Sequence, residues 1–478
     1  MELYRHSIDW FFFIYGILLF CCYFFFVSLA IKAIKKNKNN ATFLSIKQIM
    51  SAQELPSISL VAPAYNEGKT IIINVLSLLS LQYPFYELII VNDGSKDDSL
   101  EKLVNTFNLK VSNEPIKEQL IKTSKILGVY KSDNPKFKNL TVVNKENGGR
   151  ADALNCGISN ATTDLVLCTD ADCIIEQDAL LKMVRPYLIA TDKEVIATGA
   201  AIGIANDSII DNGTLHTLKL PKSLVARMQV VEYIRAFLLG RMAWGHINGL
   251  FLVSGAFGLY PKKRLIEVGG FDKNTVGEDL ELCIRLRVHM ERKKLKYDIV
   301  YIPETLCWTE APSTPKVYIT QRDRWARGLY ETIKKHRYLF YNPKFKASGL
   351  VFFPYWVYFE FGAPIVEFLG LILIVIYMFL GEINYPTAVL LFFIVYIIGC
   401  IFSTIAILIY TYNFKQYATY PKALNLIFTS FLEPITTHPI MLYAEIKGYF
   451  KKIFGIKSTW GTMSRKGFTT NEVSKTDT

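Results

Sequence analysis

Residues 166–172 read VLCTDAD, an apolar run that ends abruptly on two aspartates separated by one alanine. Side chains two residues apart at the end of a strand point the same way, so Asp170 and Asp172 can both reach one hard cation. A cation at this position suits a diphosphate ligand. Asp-x-Asp also occurs in ordinary solvated turns, and the motif alone leaves that alternative open.

Around this motif, apolar runs alternate with helical patterns. The pattern predicts strands and helices in turn, with strands at 58–63, 87–92, 139–144 and 164–169, and helices at 69–81, 97–107 and 150–160. Continuous apolar strands separated by helices indicate a mostly parallel, Rossmann-like α/β sheet that is covered on both faces. Such sheets bind ligands beyond the carboxyl ends of their strands.

Each predicted strand ends in polar residues. In chain order these residues are Asn66 with Glu67, Asp93, Lys145 followed by the turn Gly148-Gly149-Arg150, and Asp170 with Asp172. Each group alone is compatible with helix capping or turn formation. Because four neighbouring strand ends carry such residues, we expect them to form one site.

The chain beyond these strands is less regular. Residues 108–138 are polar and are predicted to form a surface insertion, since they are long for a connection between strands. A helix is expected near 176–188, then a weakly structured region, and then a helix over 222–243. The small residues of SGAFGLY (254–260) allow a ligand to approach the backbone, which makes Ser254 and Gly255 candidate ligand contacts.

Two further motifs carry reactive side chains. Glu278 and Asp279 open a predicted helix, where acids also stabilise the helix dipole by roughly 0.3 to 1 kcal/mol each. The motif QRDRW places Gln321, Arg324 and Trp325 within about one helical turn. Basic residues surround the second motif, so a helix lying at a membrane interface is its alternative interpretation.

The composition indicates a membrane protein. The 478 residues are 51% hydrophobic with a mean hydropathy of +0.23, which is too apolar for a wholly soluble chain of this charge. The net charge of +12 suits lipid headgroups and phosphorylated ligands. Nucleic acid is not an expected partner, because no basic stripe with interleaved aromatic residues occurs outside membrane-flanking positions. The eight cysteines lack zinc-site spacing and mostly fall in apolar segments, which favours a reduced compartment over a disulfide framework.

The first apolar segment is predicted to span the membrane. Residues 10–31 carry no charge and rise about 33 Å as a helix, which is too long for a signal peptide. Four lysines follow closely. The positive-inside bias then places residues 1–9 outside the cell, the span at 10–34, and both a linker at 35–55 and a domain at 56–345 in the cytoplasm.

The C-terminal part contains further apolar segments. An aromatic stretch at 348–360 is predicted to lie at the interface, and spans are predicted at 362–381 and 386–413. Residues 423–445 are interrupted by two prolines and are expected to be re-entrant or interfacial. A span there would place the basic tail at 446–478 outside, against the charge bias, so that tail is predicted to be cytoplasmic.

Four motifs in a fixed order resemble one enzyme family. VNDGS (91–95), DAD (170–172), GED (277–279) and QRDRW (321–325) precede the C-terminal apolar helices. This set resembles the membrane-bound family 2 glycosyltransferases, which include the hyaluronan, cellulose, chitin and poly-N-acetylglucosamine synthases. Four other strings are similar to those of bacterial members, namely PAYNE (63–67), NGGRADALN (147–155), SGAFG (254–258) and WGTMSR (460–465). The resemblance implies a GT-A domain at a bacterial plasma membrane.

The resemblance also implies ligands and site residues. The donor would be a UDP-sugar whose uridine contacts Ala62, Tyr65, Glu67 and Asp93. Arg150 stands where many relatives carry lysine and would approach the nucleotide. Asp172, with Asp170, would hold Mg²⁺ or Mn²⁺ on the diphosphate.

The remaining motifs are implied to serve the acceptor. Asp279, beside Glu278, would be the general base. Gln321, Arg324 and Trp325 would contact the diphosphate and the acceptor sugar. A pyranose ring can lie on the flat face of the tryptophan, whose alternative is a membrane anchor.

The predicted activity is inverting and processive transfer of a hexose or N-acetylhexosamine to a growing β-linked polysaccharide, with assistance in its export. Three spans are few for a pore, so a homo-oligomer or a small membrane subunit is an expected partner beside the membrane lipids. A non-processive enzyme that makes a glycolipid is the alternative. A third hypothesis is a receptor that binds nucleotide without turnover.

Overall fold

The computed structural model describes residues 2–43, 55–112, 118–211, 213–456 and 469–470. Most of the predicted linker, part of the 108–138 insertion and the WGTMSR string therefore lie outside the described residues. The chain divides into two compact units. One contains Met1–Lys35, Ser223–Gly249 and Pro312–Ser464, and the other contains Lys36–Lys222, Leu250–Ala311 and Arg465–Thr478.

The second unit is built on a ten-stranded sheet. Its strands are β1 (Ile58–Ala64), β2 (Tyr86–Asp93), β3 (Leu109–Val111), β4 (Ile126–Ser132), β5 (Leu140–Lys145), β6 (Leu165–Thr169), β7 (Ile174–Ile175), β8 (Glu194–Ile204), β11 (Phe257–Pro261) and β12 (Tyr297–Thr309). A separate hairpin is formed by β9 (Ile209–Asp211) and β10 (Thr214–Thr217), and β13 (Thr469–Thr470) pairs with β9.

The sheet has the order β3-β4-β5-β2-β1-β6-β11-β8-β12-β7. All of its strands except β4, β11 and β7 run in the same direction, which agrees with the predicted mostly parallel sheet. In its centre Val61 lies opposite Ile89 on one side and Cys168 on the other. The strands β1, β2, β5 and β6 confirm the four that the apolar runs predict.

Helices cover the faces of this sheet. They are Ile71–Leu79, Ser99–Phe107, Arg150–Asn160, Ala179–Ile189, Lys262–Glu267 and Glu278–Arg292. The helix that begins at Arg150 approaches the sheet closely, because a Cβ added at Gly157 would lie 2.1 Å from Val61 Cγ1. Glycine at this position therefore allows the close packing that places Arg150 at the edge of the sheet.

Two regions of the sheet differ from the sequence expectation. The region after Ile189 is predicted to be weakly structured, but β8 is a buried strand within it. Its sequence, EVIATGAAIGI, is rich in alanine and glycine, which disfavour strands in isolation, so the surrounding sheet stabilises it. The long strand β12 is not predicted at all. Pro303 interrupts its pattern, and its register with β8 shifts between Ile302 and Thr305.

The 108–138 insertion contains secondary structure that its sequence pattern does not specify. Its described residues form β3 and β4, mostly exposed or half-buried strands that extend the sheet beyond β5 in an antiparallel arrangement. Leu109 and Ile126 are the buried apolar residues of these two strands. The insertion therefore completes one edge of the sheet.

The first unit is helical. Its helices are the larger part of Glu2–Phe43, which continues past the unit boundary at Lys35, then Leu224–Ile234 with a π-helical continuation over Arg235–Arg241, Met242–His246, Pro315–Lys335, Phe353–Tyr355, Gly362–Phe379, Tyr385–Phe414, Tyr420–Leu432 and Thr437–Ile453. Among the described residues, three helical stretches are long and apolar enough to cross a membrane, namely Ser7–Asn37, Ser348–Phe379 and Tyr385–Phe414.

These helices differ in detail from the predicted segments. The first helix continues to Phe43, into the residues predicted as a linker. The predicted interfacial helix at 348–360 is continuous with the span that follows it. Pro354 and Pro364 lie within that stretch, and the π-helical turns Ser348–Phe352 and Trp356–Phe361 maintain helical backbone around them.

The segment 423–445, predicted to be re-entrant or interfacial, lies in two helices. Tyr420–Leu432 and Thr437–Ile453 are separated by a 3₁₀ turn over Glu433–Ile435, which contains Pro434. Arg235 donates hydrogen bonds of 2.9 and 2.6 Å to the two carboxylate oxygens of Glu433. The break thus coincides with a half-buried ion pair. The re-entrant or interfacial position of this segment stays a prediction.

Candidate active site

The carboxyl ends of the central strands converge on one group of charged residues. Asp93 ends β2 directly opposite Lys145, the last residue of β5. The Lys145 ammonium donates to Asp93 Oδ1 at 2.6 Å and lies 2.7 Å from Asp152 Oδ2. The side chains of all three residues are almost completely buried. These buried ion pairs therefore lie directly beside the glycine turn that follows β5.

Asp93 also organises this turn. Its two carboxylate oxygens accept hydrogen bonds from the backbone N–H groups of Gly148 and Gly149, at 3.0 and 2.8 Å. The Asn147 amide donates to the Asp93 carbonyl at 2.8 Å. The structure therefore gives Asp93 a role in holding the turn ahead of Arg150, and its predicted contact with uridine stays a prediction.

The Lys145 network has a stability that depends on pH. Burial alone would lower the pKa of Lys145, but its bonds to Asp152 and Asp93 raise that pKa, so the lysine stays charged at neutral pH. Burial opposes ionisation of Asp152, yet Lys145 and Lys273 lower its pKa. A lowered carboxylate pKa stabilises the fold above about pH 4, and this contribution is lost as the pH falls through the folded-state pKa.

Substitution Lys145→Met is expected to lower the free energy of unfolding by about 3 to 5 kcal/mol, because it removes the buried cation that Asp93 and Asp152 share and leaves Asp152 only its ion pair with Lys273. Thermal unfolding of the full chain in detergent measures this effect. Lys273→Met is the matched control. Its side chain is 42% exposed, so the loss of its 3.0 Å contact with Asp152 should cost less than about 1 kcal/mol. Equal losses in the two variants would contradict the network.

Arg150 joins three separate segments of the chain. Its Nε donates to Asp170 Oδ1 at 2.7 Å, its Nη1 to Glu278 Oε1 at 2.7 Å, and its Nη2 to the Gly255 carbonyl at 2.8 Å. The neighbouring acids Asp170 and Glu278 outweigh the cost of burial and raise the pKa of Arg150. This guanidinium is therefore a fixed positive charge beside the Asp-x-Asp motif.

Among the described residues, Asp170, Asp172 and Cys173 form a group of potential metal ligands. One ligand atom from each lies within 4.8 Å of the others. A hydrogen bond with the Cys307 thiol, together with burial, raises the pKa of Cys173 well above its usual value, so its thiol stays protonated. The remaining two ligands are carboxylates, which is the donor set that Mg²⁺ and Mn²⁺ prefer. The residues fit a hard divalent cation.

Asp279 lies in the first turn of the helix Glu278–Arg292. Its Oδ2 accepts a hydrogen bond of 2.9 Å from the Gly255 N–H, and its Oδ1 accepts one of 2.8 Å from the Leu280 N–H. Burial raises the pKa of the neighbouring Glu278, and Arg150 opposes this effect. Gly255 contacts both Arg150 and Asp279, and a Cβ there would lie 3.3 Å from Asp279 Oδ2. The two backbone hydrogen bonds therefore orient the Asp279 carboxylate, and Gly255 keeps it close to Arg150.

The residues implied to contact uridine follow β1. Ala62 is completely buried within this strand, while Tyr65 just beyond it is 46% exposed. The Glu67 N–H donates to the Ser99 hydroxyl at 3.0 Å, and its carboxylate accepts from the Thr70 hydroxyl at 3.3 Å. The Ala62 side chain is not accessible to a ligand in this structure, whereas the Tyr65 ring is accessible.

Gln321, Arg324 and Trp325 lie in the other unit, on the helix Pro315–Lys335. Trp325 is 41% exposed. Gln321 is buried, and its Oε1 has no hydrogen-bond partner among the residues that the structure describes. A buried carbonyl oxygen without a partner costs free energy, which favours a ligand contact for Gln321.

The helix of these residues is held by the last helix of the same unit. Lys451 forms an ion pair of 2.6 Å with Asp323, and Lys452 forms one of 2.5 Å with Glu331. Sequence reasoning assigned no role to Asp152, Glu232 or Arg322, although all three are charged residues at buried or half-buried positions. The sequence signal for Asp152 is its place in the NGGRADALN string.

Comparison with known proteins connects this geometry to a family. A model of glycosyl transferase family 2 matches residues 59–244, and a model of glycosyl transferase family group 2 matches residues 165–409, more than half of the chain. The chain is 29% identical over 281 residues to a poly-beta-1,6-N-acetyl-D-glucosamine synthase of Staphylococcus epidermidis and 30% identical over 295 residues to one of Staphylococcus aureus.

These alignments cover 59% and 61% of this chain, and 56% and 58% of the two relatives. The matched part thus spans less than two thirds of each relative's length. Among solved structures, a mannosyltransferase from Pyrobaculum calidifontis, in complex with GDP-Man and Mn²⁺, has a TM-score of 0.50 at 16% identity, covering 90% of this chain and 100% of that one. This likeness concerns the fold alone and confirms the predicted GT-A class. On the strength of the matched models, the chain belongs to glycosyl transferase family group 2.

Proposed function

We propose that the chain transfers a hexose or N-acetylhexosamine from a UDP-sugar to a growing β-linked polysaccharide, with inversion at the anomeric carbon. The observation that carries this proposal is the contact of Gly255 with both Arg150 and Asp279. A positive charge and an oriented carboxylate are thereby held beside the Asp-x-Asp motif. Displacement of UDP by a sugar hydroxyl requires these two charges together.

Asp279 is proposed as the general base. An acceptor hydroxyl loses its proton as it attacks the anomeric carbon, and a carboxylate within hydrogen-bond reach accepts that proton. The two backbone N–H donors hold the Asp279 carboxylate in a defined orientation. Glu278 is proposed to assist indirectly, because it holds Arg150 in place.

Arg150 is proposed to contact the diphosphate, where negative charge develops as UDP leaves. Asp172, with Asp170, would hold Mg²⁺ or Mn²⁺, which supplies further stabilisation of that charge when it is bound. Tyr65, Glu67 and Asp93 are proposed around the uridine, with Ala62 contributing backbone atoms. Ser254 and Gly255 are proposed to border the donor.

The acceptor and the membrane complete the proposal. Gln321 and Arg324 are proposed to bind the diphosphate, and Trp325 to support the acceptor sugar. The basic residues after the first span favour a cytoplasmic position for the catalytic unit in a bacterial plasma membrane. The polysaccharide synthases among the relatives favour a polymer product that is exported. The partner proposed for export is a homo-oligomer or a small membrane subunit.

The decisive experiment uses the purified full chain in vesicles. Separate UDP-hexoses and UDP-N-acetylhexosamines are supplied with Mg²⁺ or Mn²⁺, while UDP release and the size of radiolabelled product are measured. We expect long chains from one donor. A labelled lipid of fixed small size would support the glycolipid alternative, and the absence of UDP release with every donor would contradict the proposal.

The same assay tests the cation site. Chelation should abolish UDP release, and added Mn²⁺ or Mg²⁺ should restore it. Asp172→Asn should weaken Mn²⁺ binding by at least about 100-fold, as measured by electron paramagnetic resonance of the metal, because one of two carboxylate ligands is lost. Cys173→Ser is the matched control and should retain Mn²⁺ affinity. Equal affinity in both variants would exclude Asp172 as a ligand.

A further inference from the structure

The helix that carries Gln321, Arg324 and Trp325 contains a second arginine with an unusual environment. Arg322 is only 4% exposed. Its Nη1 and Nη2 donate hydrogen bonds of 2.6 Å each to the two carboxylate oxygens of Glu232. Glu232 belongs to the helix Leu224–Ile234, so this paired contact joins two helices of the same unit.

The same guanidinium lies against two aromatic rings. Its Cζ is 4.4 Å from the centre of the Trp325 ring and 4.8 Å from the centre of the Tyr318 ring. A paired hydrogen bond fixes the plane of a guanidinium, and a fixed guanidinium attracts the face of an indole ring. Trp325 is 41% exposed, so part of its ring stays accessible to a ligand while Arg322 lies against it.

We propose that Glu232 and Arg322 are positioning residues that hold the Trp325 ring in the orientation that receives the acceptor sugar. This inference rests on the proposed function of Trp325. Glu232 fixes Arg322, and Arg322 supports the ring from one side. The exposed part of the indole then offers a preformed surface to the flat, apolar face of a pyranose.

Lysine cannot replace arginine in this arrangement. A lysine at position 322 would keep one positive charge beside Glu232, but it lacks both the paired hydrogen bonds and the flat group that stacks on the ring. Glutamine at position 232 would keep the size of the side chain and lose its charge. Both substitutions should leave Trp325 in place while its orientation becomes less restricted.

The experiment measures KM for donor and acceptor separately in the full chain. The acceptor is the size-fractionated product of the wild-type reaction, added at graded concentrations. Arg322→Lys and Glu232→Gln should each raise the acceptor KM about tenfold. The donor KM should stay within about twofold, because the donor does not depend on the orientation of Trp325.

Two controls separate positioning from general loss of structure. Trp325→Ala should raise the acceptor KM at least as much, and the double variant Arg322→Lys with Trp325→Ala should raise it no further, because both changes remove the same surface. Arg327→Lys alters another buried arginine of the same helix, which contacts Asp323 at 3.4 Å. This variant should keep the wild-type acceptor KM.

Several outcomes would overturn the inference. They are an unchanged acceptor KM in Glu232→Gln and Arg322→Lys, additive effects in the double variant, or an equal rise in Arg327→Lys. If Arg322→Lys does not fold, Glu232→Gln and the Trp325 variant still decide the question. Wild-type protein that turns over no UDP-sugar would refute the proposed function instead, before any variant is compared.

Discussion

Substitution Asp279→Asn should lower the rate of UDP-sugar turnover by about two to four orders of magnitude, the usual contribution of a general base. Asparagine keeps the size of the side chain and can still accept a backbone hydrogen bond, but it cannot take a proton from the acceptor hydroxyl at neutral pH. The UDP-sugar should bind with nearly unchanged affinity. Single-turnover product formation and equilibrium binding of UDP measure the two quantities separately.

Glu281→Gln is the matched control for this experiment. Glu281 lies in the same first helical turn, and its carboxylate contacts Arg285 at 2.6 Å. Its loss should lower stability and leave the turnover number of the folded protein within about threefold. If Asp279→Asn retained full turnover, another group would be the base. If neither variant nor wild type turned over any donor while UDP still bound, the receptor hypothesis would gain support.

Substitution Arg150→Gln should reduce turnover by about 100-fold to 1,000-fold, because a fixed positive charge beside the leaving diphosphate is lost. Arg150→Lys should retain much more activity, since it keeps the charge, although it cannot contact Asp170, Glu278 and Gly255 together. The rate of UDP release with saturating donor and cation measures both variants. Comparable rates in Arg150→Gln and wild type would exclude a direct role.

The Arg150 variants also need a stability control, because Glu278 is buried and loses its cation. Arg264→Gln provides one. Arg264 is a buried arginine of the same unit that contacts Glu194 and Glu267 at 2.6 Å each. We expect a lower thermal midpoint in Arg264→Gln with an almost unchanged turnover number. A similar loss of turnover in both variants would indicate that Arg150 acts through the fold alone.

Local patterns in the sequence predict the centre of the fold and the strand ends of the site. The runs that become β1, β2, β5 and β6 are apolar and lie between clear helical patterns. Parallel pairing then requires Asp93, Lys145 and Asp170 to lie at one edge of the sheet. The alanine and glycine content of β8 and the proline within β12 conceal two further strands, whose stability depends on their neighbours.

The contacts between side chains are not readable from local patterns. Spacing along the chain indicates that Arg150 follows a glycine turn, but not that it contacts Glu278 and Gly255. Likewise, QRDRW predicts that three residues share about one helical turn. It contains no indication that Glu232, on another helix, fixes the arginine between them. Such pairings depend on the tertiary arrangement, and only the structure reveals them.

The positions of the three Arg150 partners along the sequence have a consequence for how the chain folds. They lie 20, 105 and 128 positions away along the chain. Contacts between distant residues require the closure of long loops, which is costly before the rest of the fold has formed. A nascent or partly folded chain therefore lacks this assembled cluster. The charge arrangement on which the proposed activity depends is therefore expected only in the completed fold, and folding intermediates should show no transfer.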